Sequence, residues 1–193
     1  TFGESHGLAV GVVMDGVKPG LPFDLEAIQK ELDRRRPGQS DMVTPRNEAD
    51  RVQVLSGVFE GRTTGHPIAL VVFNENQRSG DYKAISDLFR PGHADLTYDR
   101  KYGIRDPRGG GRSSGRETLA RVAAGAWAKQ QLTAFGVTVR GFNREIAGIA
   151  GTTVDWAFVE TNPLRVADPV AYPAQRAAVE AALADGDSVG GVC

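Results

Sequence analysis

The chain has 193 residues, of which 40% are hydrophobic and 24% charged, which is enough to bury a core of one domain and excludes a disordered or fibrous protein. Its 23 basic and 24 acidic residues leave a formal net charge of -1, so we expect no nucleic acid partner, and a basic surface must be local. The single cysteine, Cys193, excludes a disulfide framework and a cysteine-rich zinc site, and no segment reaches the roughly 20 apolar residues of a membrane span.

The amino-terminal part of the chain predicts three strands and one helix. Residues 8–14 are apolar and β-branched and end at a turn, which indicates a strand. Asp24 precedes apolar residues at helical spacing, and this predicted helix ends in three arginines before Pro37. Residues 52–59 and 68–73 predict two further strands, which we expect to form an antiparallel meander with the first.

The rest of the chain predicts a long loop, two helices and one more strand. Residues 74–113 are rich in glycine, arginine and aspartate, and irregular segments of this length are usually functional. Ser114 and Glu117 form a capping box before a helix with one apolar face. Residues 137–142 read as a strand and residues 169–184 as a second long helix. The mixture predicts an α+β fold in which sheet layers pack against helices.

A dense basic segment follows the middle of the predicted loop. Six cations lie within 17 residues against one acid, Asp106: Arg100, Lys101, Arg105, Arg108, Arg112 and Arg116. The glycines at 109–111 let the backbone approach a ligand, and the serine-capped helix start offers free N–H groups to a phosphate. The segment therefore predicts an anion-binding site. The alternative is a solvated surface loop or an arginine-glycine segment that binds RNA.

The sequence contains three histidines. His66 lies in a Gly-His-Pro turn, and we interpret it as a turn residue. His6 and His93 lie beside glycines, with Ser5 and Asp95 near in sequence, and imidazole is the usual general acid near neutral pH. The alternative for each is a hydrogen-bonded loop residue. No histidine or carboxylate pair has the helical spacing of a metal site, so we expect no metal.

Two serines stand in the pattern G-x-S-x-G, which marks the nucleophile elbow of α/β-hydrolases. The elbow requires a strand before the serine and a helix after it. Ser5 instead precedes a predicted strand, and Ser113 follows a glycine-arginine loop. The patterns of P-loop and Rossmann sites are absent. The sequence therefore does not indicate a hydrolase or a standard nucleotide site.

Several segments, taken together, resemble the chorismate synthase family. They are Gly3-Glu4-Ser5-His6-Gly7, residues 34–39, Thr44-Pro45-Arg46, residues 56–61, residues 76–82, Arg90-Pro91-Gly92-His93-Ala94-Asp95 and residues 109–118. The resemblance covers essentially the whole chain, and members are about twice this long. It implies that residues 1–193 are the amino-terminal part of a single catalytic domain with a β-α-β sandwich. We accordingly expect the sequence to be cut at both ends.

The resemblance also implies an activity. Members of the family are lyases that convert 5-enolpyruvylshikimate 3-phosphate to chorismate and phosphate by a 1,4-elimination, a step of the shikimate pathway of aromatic amino acid biosynthesis. The reaction requires reduced FMN without net redox change. By motif match, His6 is implied to manage charge or a proton at the flavin. His93 is implied to give a proton to the departing phosphate.

The same motif match assigns binding residues. Ser5, Arg35, Arg90 and Arg116 are implied to bind the phosphate and carboxylates of the substrate. The stretch Arg112, Ser113 and Ser114 matches the part of the family that contacts the flavin. This second assignment agrees with the anion-binding loop that the residues themselves predict.

The resemblance implies assembly, reductant and location as well. The family forms homotetramers, so we expect a homotetramer for the intact protein. Asp41 stands where many members have an arginine associated with a nicotinamide or substrate site, which weighs against direct NADPH binding and leaves NADPH open as a source of reduced flavin. We expect a cytoplasmic location. A plastid location stays open because the amino terminus is missing.

Overall fold

The computed structural model of the protein describes residues 1–38, 42, 49–75 and 85–188. The chain divides into two compact units, the first of residues 1–36 and 47–138 and the second of residues 37–46 and 139–193. Helices and strands occur in both units, and the predicted α+β class is confirmed. Of the helices in the described ranges, none combines the length and apolar character that crossing a membrane needs.

The first unit is built on a four-stranded antiparallel sheet. Its strands are β1 (Phe2–Gly3), β2 (Ala9–Met14), β3 (Val52–Ser56) and β6 (Ile68–Phe73), in the order β1-β2-β6-β3. The three predicted strands therefore exist and pair antiparallel, but the predicted meander order is wrong. Strand β6 is apolar along its whole length and buries Leu70, Val71 and Val72, so the central position excludes the most apolar area from water.

The predicted strand at 52–59 is divided into two. Gly57 has a φ of +81°, a conformation that favours glycine and ends the run of extended residues. Beyond it, β4 (Val58–Phe59) pairs with β5 (Arg62–Thr63) as a separate two-stranded ribbon.

Two helices share the core of the first unit with the sheet. The side chain of Asp24 accepts a hydrogen bond of 3.0 Å from the backbone N–H of Ala27 and so caps α1 (Leu25–Arg35), as the sequence predicts. The second of these helices is α3 (Thr118–Thr133). The buried side chains that the two helices and the sheet contribute to one cluster include Ile28, Leu32, Val10, Val12, Leu70, Val72, Leu119, Ala120, Ala123 and Ala126.

Two local predictions in the first unit are wrong. The capping box before α3 does not form, because the Ser114 hydroxyl accepts from Arg116 N–H and the Glu117 carboxylate pairs with Arg112 and Arg121 instead. The segment 74–113 is not irregular throughout, since it contains α2 (Asp95–Tyr102). The high arginine and glycine content around this helix masked its short apolar pattern.

The second unit contains short elements and one long helix. These are β7 (Glu145–Ile146), β8 (Ile149–Ala150), α4 (Trp156–Val159) and α5 (Tyr172–Ala184). Helix α5 confirms the helix predicted at residues 169–184 and begins three residues later than predicted. The strand predicted at 137–142 is absent, and Val137 and Val139 are exposed rather than paired in a sheet.

A buried carboxylate organises the loops before α5. Asp168 accepts hydrogen bonds from the backbone N–H groups of Thr152, Thr153, Val170 and Ala171 at 2.7, 3.1, 2.8 and 3.3 Å. These bonds, that of Thr152 foremost, hold the pKa of Asp168 well below its usual range.

Candidate active site

Two consecutive glycines lie against the two histidines that the sequence singles out. Gly109 and Gly110 have φ angles of +61° and +86°, in the left-handed region that favours glycine. A Cβ added to Gly109 would collide with the imidazole of His6, and one added to Gly110 would collide with the imidazole of His93. The backbone of this dipeptide therefore contacts both rings, and residues far apart in sequence meet at one loop.

His6 is buried and contacts its neighbour Ser5. The Ser5 hydroxyl lies 3.0 Å from His6 Nδ1 and donates to the carbonyl of Gly109 at 3.4 Å. Since a carbonyl oxygen can only accept, the hydroxyl proton is directed to Gly109, and its oxygen is left to accept from the imidazole. The three residues thus form a chain of polar contacts along the glycine loop.

His93 lies beside a buried carboxylate at the start of α2. Its Nδ1 is 3.1 Å from Asp95 Oδ1. Arg90 holds the same carboxylate through two parallel bonds of 2.8 and 2.9 Å from its guanidinium and a third of 3.0 Å from its backbone N–H. Such bidentate pairing fixes geometry as well as charge. Asp95 therefore joins a predicted catalytic residue to a predicted substrate-binding residue.

Arg90 also determines the charge of this carboxylate. Its side-chain hydrogen bonds are the largest influence that holds the pKa of Asp95 well below the usual range, and burial opposes them. Arg105 lies 3.8 Å from Asp95 and acts in the same direction. Asp95 is consequently ionised throughout the physiological pH range, although it is buried.

Arg35 and Arg116 meet at a second buried carboxylate, Asp50. Arg35 approaches Asp50 Oδ2 at 3.2 Å and Arg116 approaches Oδ1 at 2.9 Å. Arg116 also donates to the Asn74 side chain at 2.6 Å, and Asn74 in turn donates to the carbonyls of Glu4 and Gly7. This network links Arg116 to the loop that carries Ser5 and His6.

The residues assigned to the flavin frame the glycine loop. Arg112 donates to the Gly3 carbonyl at 2.7 Å and pairs with Glu117 at 2.9 Å. Ser113 donates to the Gly110 carbonyl at 2.7 Å, and Ser114 accepts from the N–H of Arg116. Ser113 is thus linked to Gly110, which contacts His93, whereas Arg112 and Ser114 bond to Gly3 and Arg116.

A cavity of about 700 Å³ opens beside this loop. The aromatic or aliphatic part of its wall includes Tyr98, Tyr102, Ile104 and Pro107. The charged part includes Asp95, Arg105, Arg108 and Arg112. Gly110, which contacts His93, belongs to the same wall. The volume of the cavity falls within the 300–1,000 Å³ that is typical of small-molecule sites.

The arginines of the basic segment have partners within the unit. Those after position 104 contact carboxylates as follows: Arg105 with Asp95, Arg108 with Asp106, Arg112 with Glu117 and Arg116 with Asp50. Such pairing positions these cations instead of presenting them as a uniform basic face, which disfavours the RNA-binding alternative.

The structure does not supply the strand-turn-helix context that an α/β-hydrolase nucleophile requires. Ser5 precedes β2, and Ser113 ends a 3₁₀ helix after the glycine loop, so neither stands at a strand-to-helix elbow. Within the described ranges, no group of three or more histidine, cysteine, aspartate or glutamate side chains could hold a metal ion.

Sequence reasoning missed Asp50 and Asn74. Both are single polar residues at the ends of predicted strands, and their partners lie 66 and 42 residues away. Asp41, the departure from the family pattern, falls outside the described residues.

Two histidines, an arginine-held carboxylate and a cavity with aromatic and charged walls together form a candidate small-molecule site. The family model for chorismate synthase matches residues 1–193. The chain is 57% identical over 191 residues to the chorismate synthase of a Nitratiruptor species, covering 99% of this chain and 54% of that protein. It is 54% identical over 196 residues to the chorismate synthase of Methanosarcina mazei, covering 100% and 54%.

A solved structure agrees with these sequence matches. One described as a crystal structure of chorismate synthase superposes with a TM-score of 0.71 at 30% identity, over 98% of this chain and 54% of that one. The chain belongs to the chorismate synthase family. It spans about half the length of the relatives it matches.

Proposed function

We propose that the intact protein is a lyase that converts 5-enolpyruvylshikimate 3-phosphate to chorismate and phosphate, with reduced FMN as cofactor. The observation that carries this proposal is the pair of imidazoles held against Gly109 and Gly110 beside a cavity with aromatic and charged walls. Relatives that carry the name chorismate synthase support the reaction. On this basis, residues 1–193 are the amino-terminal part of one catalytic domain.

The cavity beside the glycine loop fits a flavin by its donor set. The rings of Tyr98 and Tyr102 offer an apolar surface for a planar ring system, and Arg112 and Ser113 stand where the family motif predicts flavin contacts. Arg105 and Arg108 add cations at the same wall, which suits a phosphate. When bound, reduced FMN supplies electron density transiently to the substrate.

The chain's own residues bind the substrate and move a proton. His93 donates a proton to the phosphate oxygen as the carbon–oxygen bond breaks, so that phosphate leaves with its charge partly neutralised. A positioned general acid contributes about 10²- to 10⁴-fold. His6, buried against Ser5 and Gly109, holds a proton at the flavin.

The remaining residues of the site orient the anionic groups of the substrate. Ser5, Arg35, Arg90 and Arg116 contribute to this role in the proposal. Arg35 and Arg90 are partly exposed, whereas Arg116 lies inside the network around Asp50. Arg116 therefore acts mainly by holding the loop that carries Ser5.

The proposal extends to the setting of the enzyme. We propose a homotetramer in the cytoplasm, with NADPH as the external source of electrons for the flavin, as in the family. The aspartate at position 41 supports an external reductase over direct NADPH binding. Size-exclusion chromatography with light scattering tests the assembly.

The experiment that tests the reaction measures phosphate release from 5-enolpyruvylshikimate 3-phosphate by the intact protein, anaerobically and with reduced FMN. We expect release that requires reduced FMN and falls at least about a hundredfold in His93→Ala. His66→Ala is the matched control, because His66 is exposed and, among the described residues, hydrogen-bonds to Thr64 in its own turn, and it should keep its activity. A folded, FMN-binding wild type that releases no phosphate would refute the reaction.

A further inference from the structure

Three groups compete around the imidazole of His93. Nδ1 lies 3.1 Å from Asp95 Oδ1, and an Nη of Arg90 lies 3.1 Å from Nδ1 and 3.5 Å from Nε2. The opposite edge of the ring, at Cε1 and Nε2, lies against Gly110, which lines the cavity. Nδ1 therefore faces Asp95, and the Cε1–Nε2 edge faces the glycine loop that lines the cavity.

The two contacts at Nδ1 require opposite states of that nitrogen. A carboxylate only accepts a hydrogen bond and a guanidinium only donates one, so Nδ1 bonds to Asp95 when it carries a proton and to Arg90 when it does not. A ring that gives its Nε2 proton to a leaving group carries a proton on Nδ1 both before and after that transfer. Asp95 supplies the acceptor that this form of the ring needs.

We propose that Asp95 is a positioning residue that holds His93 in the tautomer with the proton on Nδ1, leaving Nε2, on the side of the glycine loop, as the nitrogen that exchanges protons. This inference rests on the proposed role of His93 as proton donor and deepens it. Arg90 keeps the carboxylate ionised and fixed in place through two bonds from its guanidinium and one from its backbone N–H. Asp95 is buried, so water competes little for its oxygens.

The isosteric change Asp95→Asn has a defined consequence. Oδ2 of Asp95 accepts both the backbone N–H and the Nε–H of Arg90, so the amide oxygen of asparagine is favoured at that position. The amide NH₂ then replaces Oδ1 and faces Nδ1 of His93. As a donor it selects the opposite tautomer, with the proton on Nε2.

The first measurement is the ¹⁵N spectrum of the histidine rings in the intact wild-type protein, at a pH where they are neutral. The His93 signal is assigned by its loss in His93→Gln. We expect the Nδ1–H tautomer in the wild type and a shift to Nε2–H in Asp95→Asn. Asp106→Asn is the matched control, because Asp106 lines the same cavity and pairs with Arg108 at 2.8 Å, and it should leave the His93 signal unchanged.

A wild type with the proton on Nε2 would overturn the proposal and make Arg90 the partner of Nδ1. An Asp95→Asn protein that keeps the wild-type tautomer would overturn it as well. The wild-type spectrum decides the question even where the variant does not fold. It is also independent of the reaction, so a protein without lyase activity would refute the proposed function and still test Asp95.

The second measurement is steady-state phosphate release by a folded Asp95→Asn protein. We expect kcat to fall at least about tenfold, and no further than in His93→Gln, since a positioned acid contributes about 10²- to 10⁴-fold in all. A double variant with His93→Gln should be no slower than His93→Gln alone. If the losses of kcat in Asp95→Asn and His93→Gln instead add up in the double variant, Asp95 acts on catalysis independently of His93.

Discussion

Asp50 and Asp95 organise two clusters of the same chemistry in different surroundings. Each is a buried aspartate that holds two cationic side chains of the predicted site. Around Asp50, whose side chain is 0% exposed, Arg116 is 5% and Arg35 22% exposed. Around Asp95, which is 2% exposed, Arg90 and His93 are 24% and 26% exposed.

The two clusters differ in whether one cationic partner is enclosed. The Asp50 cluster joins the end of α1, the start of β3 and the segment before α3, and encloses Arg116 from solvent. The Asp95 cluster presents one edge of His93 towards a cavity wall. Asp50 thus stabilises the fold through its enclosed partner Arg116, and Asp95 positions two partners that reach the surface.

The largest expected effect comes from breaking the enclosed cluster. Asp50→Ala leaves the buried Arg116 guanidinium without its carboxylate, and loss of one partner of a buried pair costs about 3–5 kcal/mol. Urea denaturation of the intact protein measures the free energy of unfolding. Asp50 also has a φ of +46°, which strains an alanine at that position but not a glycine. Asp50→Gly is therefore the control, because it removes the same carboxylate without that backbone strain. A loss below about 1 kcal/mol, the range of a surface pair, would contradict the enclosed role.

The second effect tests the exposed cluster through its glycine. Gly110→Ala places a methyl group against the His93 ring, and such displacement of a reacting group costs about a hundredfold in kcat/KM. Gly136→Ala is the control, since its φ of +72° imposes the same strain with open space around the new Cβ. Equal activities for the two variants would show that the His93 position does not depend on this contact.

A third, smaller effect sets the scale of an exposed pair. Lys129 on α3 and Glu31 on α1 form an ion pair of 2.9 Å, and each is about one third exposed. Because water screens such pairs, Lys129→Ala should lower the free energy of unfolding by less than about 1 kcal/mol. The two variants are measured under the same conditions. If Lys129→Ala lowers the free energy of unfolding as much as Asp50→Ala does, burial does not explain the strength of the Asp50 pair.

The last effect is a pH dependence, and it concerns a carboxylate that pairs with backbone N–H groups rather than cations. The folded state lowers the pKa of Asp168, so its contribution to stability is complete above the unfolded pKa of about 3.9 and is lost as the pH falls towards the folded value. The stability difference between wild type and Asp168→Asn should therefore shrink below about pH 4. Denaturation midpoints at several pH values measure it, and a constant difference would contradict this.

Local signals of the sequence predicted local structure well. The spacing of Leu25, Ile28 and Leu32 after Asp24 defined α1, and the apolar run at 68–73 defined β6. The strand order was wrong because the choice of β6 as centre depends on burial across the whole sheet. Val137 and Val139 have strand-like composition, but no described strand pairs with their segment.

The same contrast between local signals and long-range contacts holds for the site residues. His6 and His93 could be chosen from their glycine neighbours and the family motifs. Gly109 and Gly110 were expected to admit a ligand, whereas the structure uses their missing side chains to admit the two imidazoles. Asp50 and Asn74 could not be chosen, because a buried carboxylate or amide is defined by partners that only the fold supplies.

The bonds from Arg112 to Gly3 and from Ser5 to Gly109 connect positions 109 and 104 residues apart. Contacts of such separation form late, because the chain between them must first be ordered. During synthesis the amino-terminal loop emerges from the ribosome long before its partners at 109–116 exist. The nascent chain therefore carries His6 and Ser5 in an unassembled state through that interval, and the histidine loop matures only after the segment leading into α3 has been made.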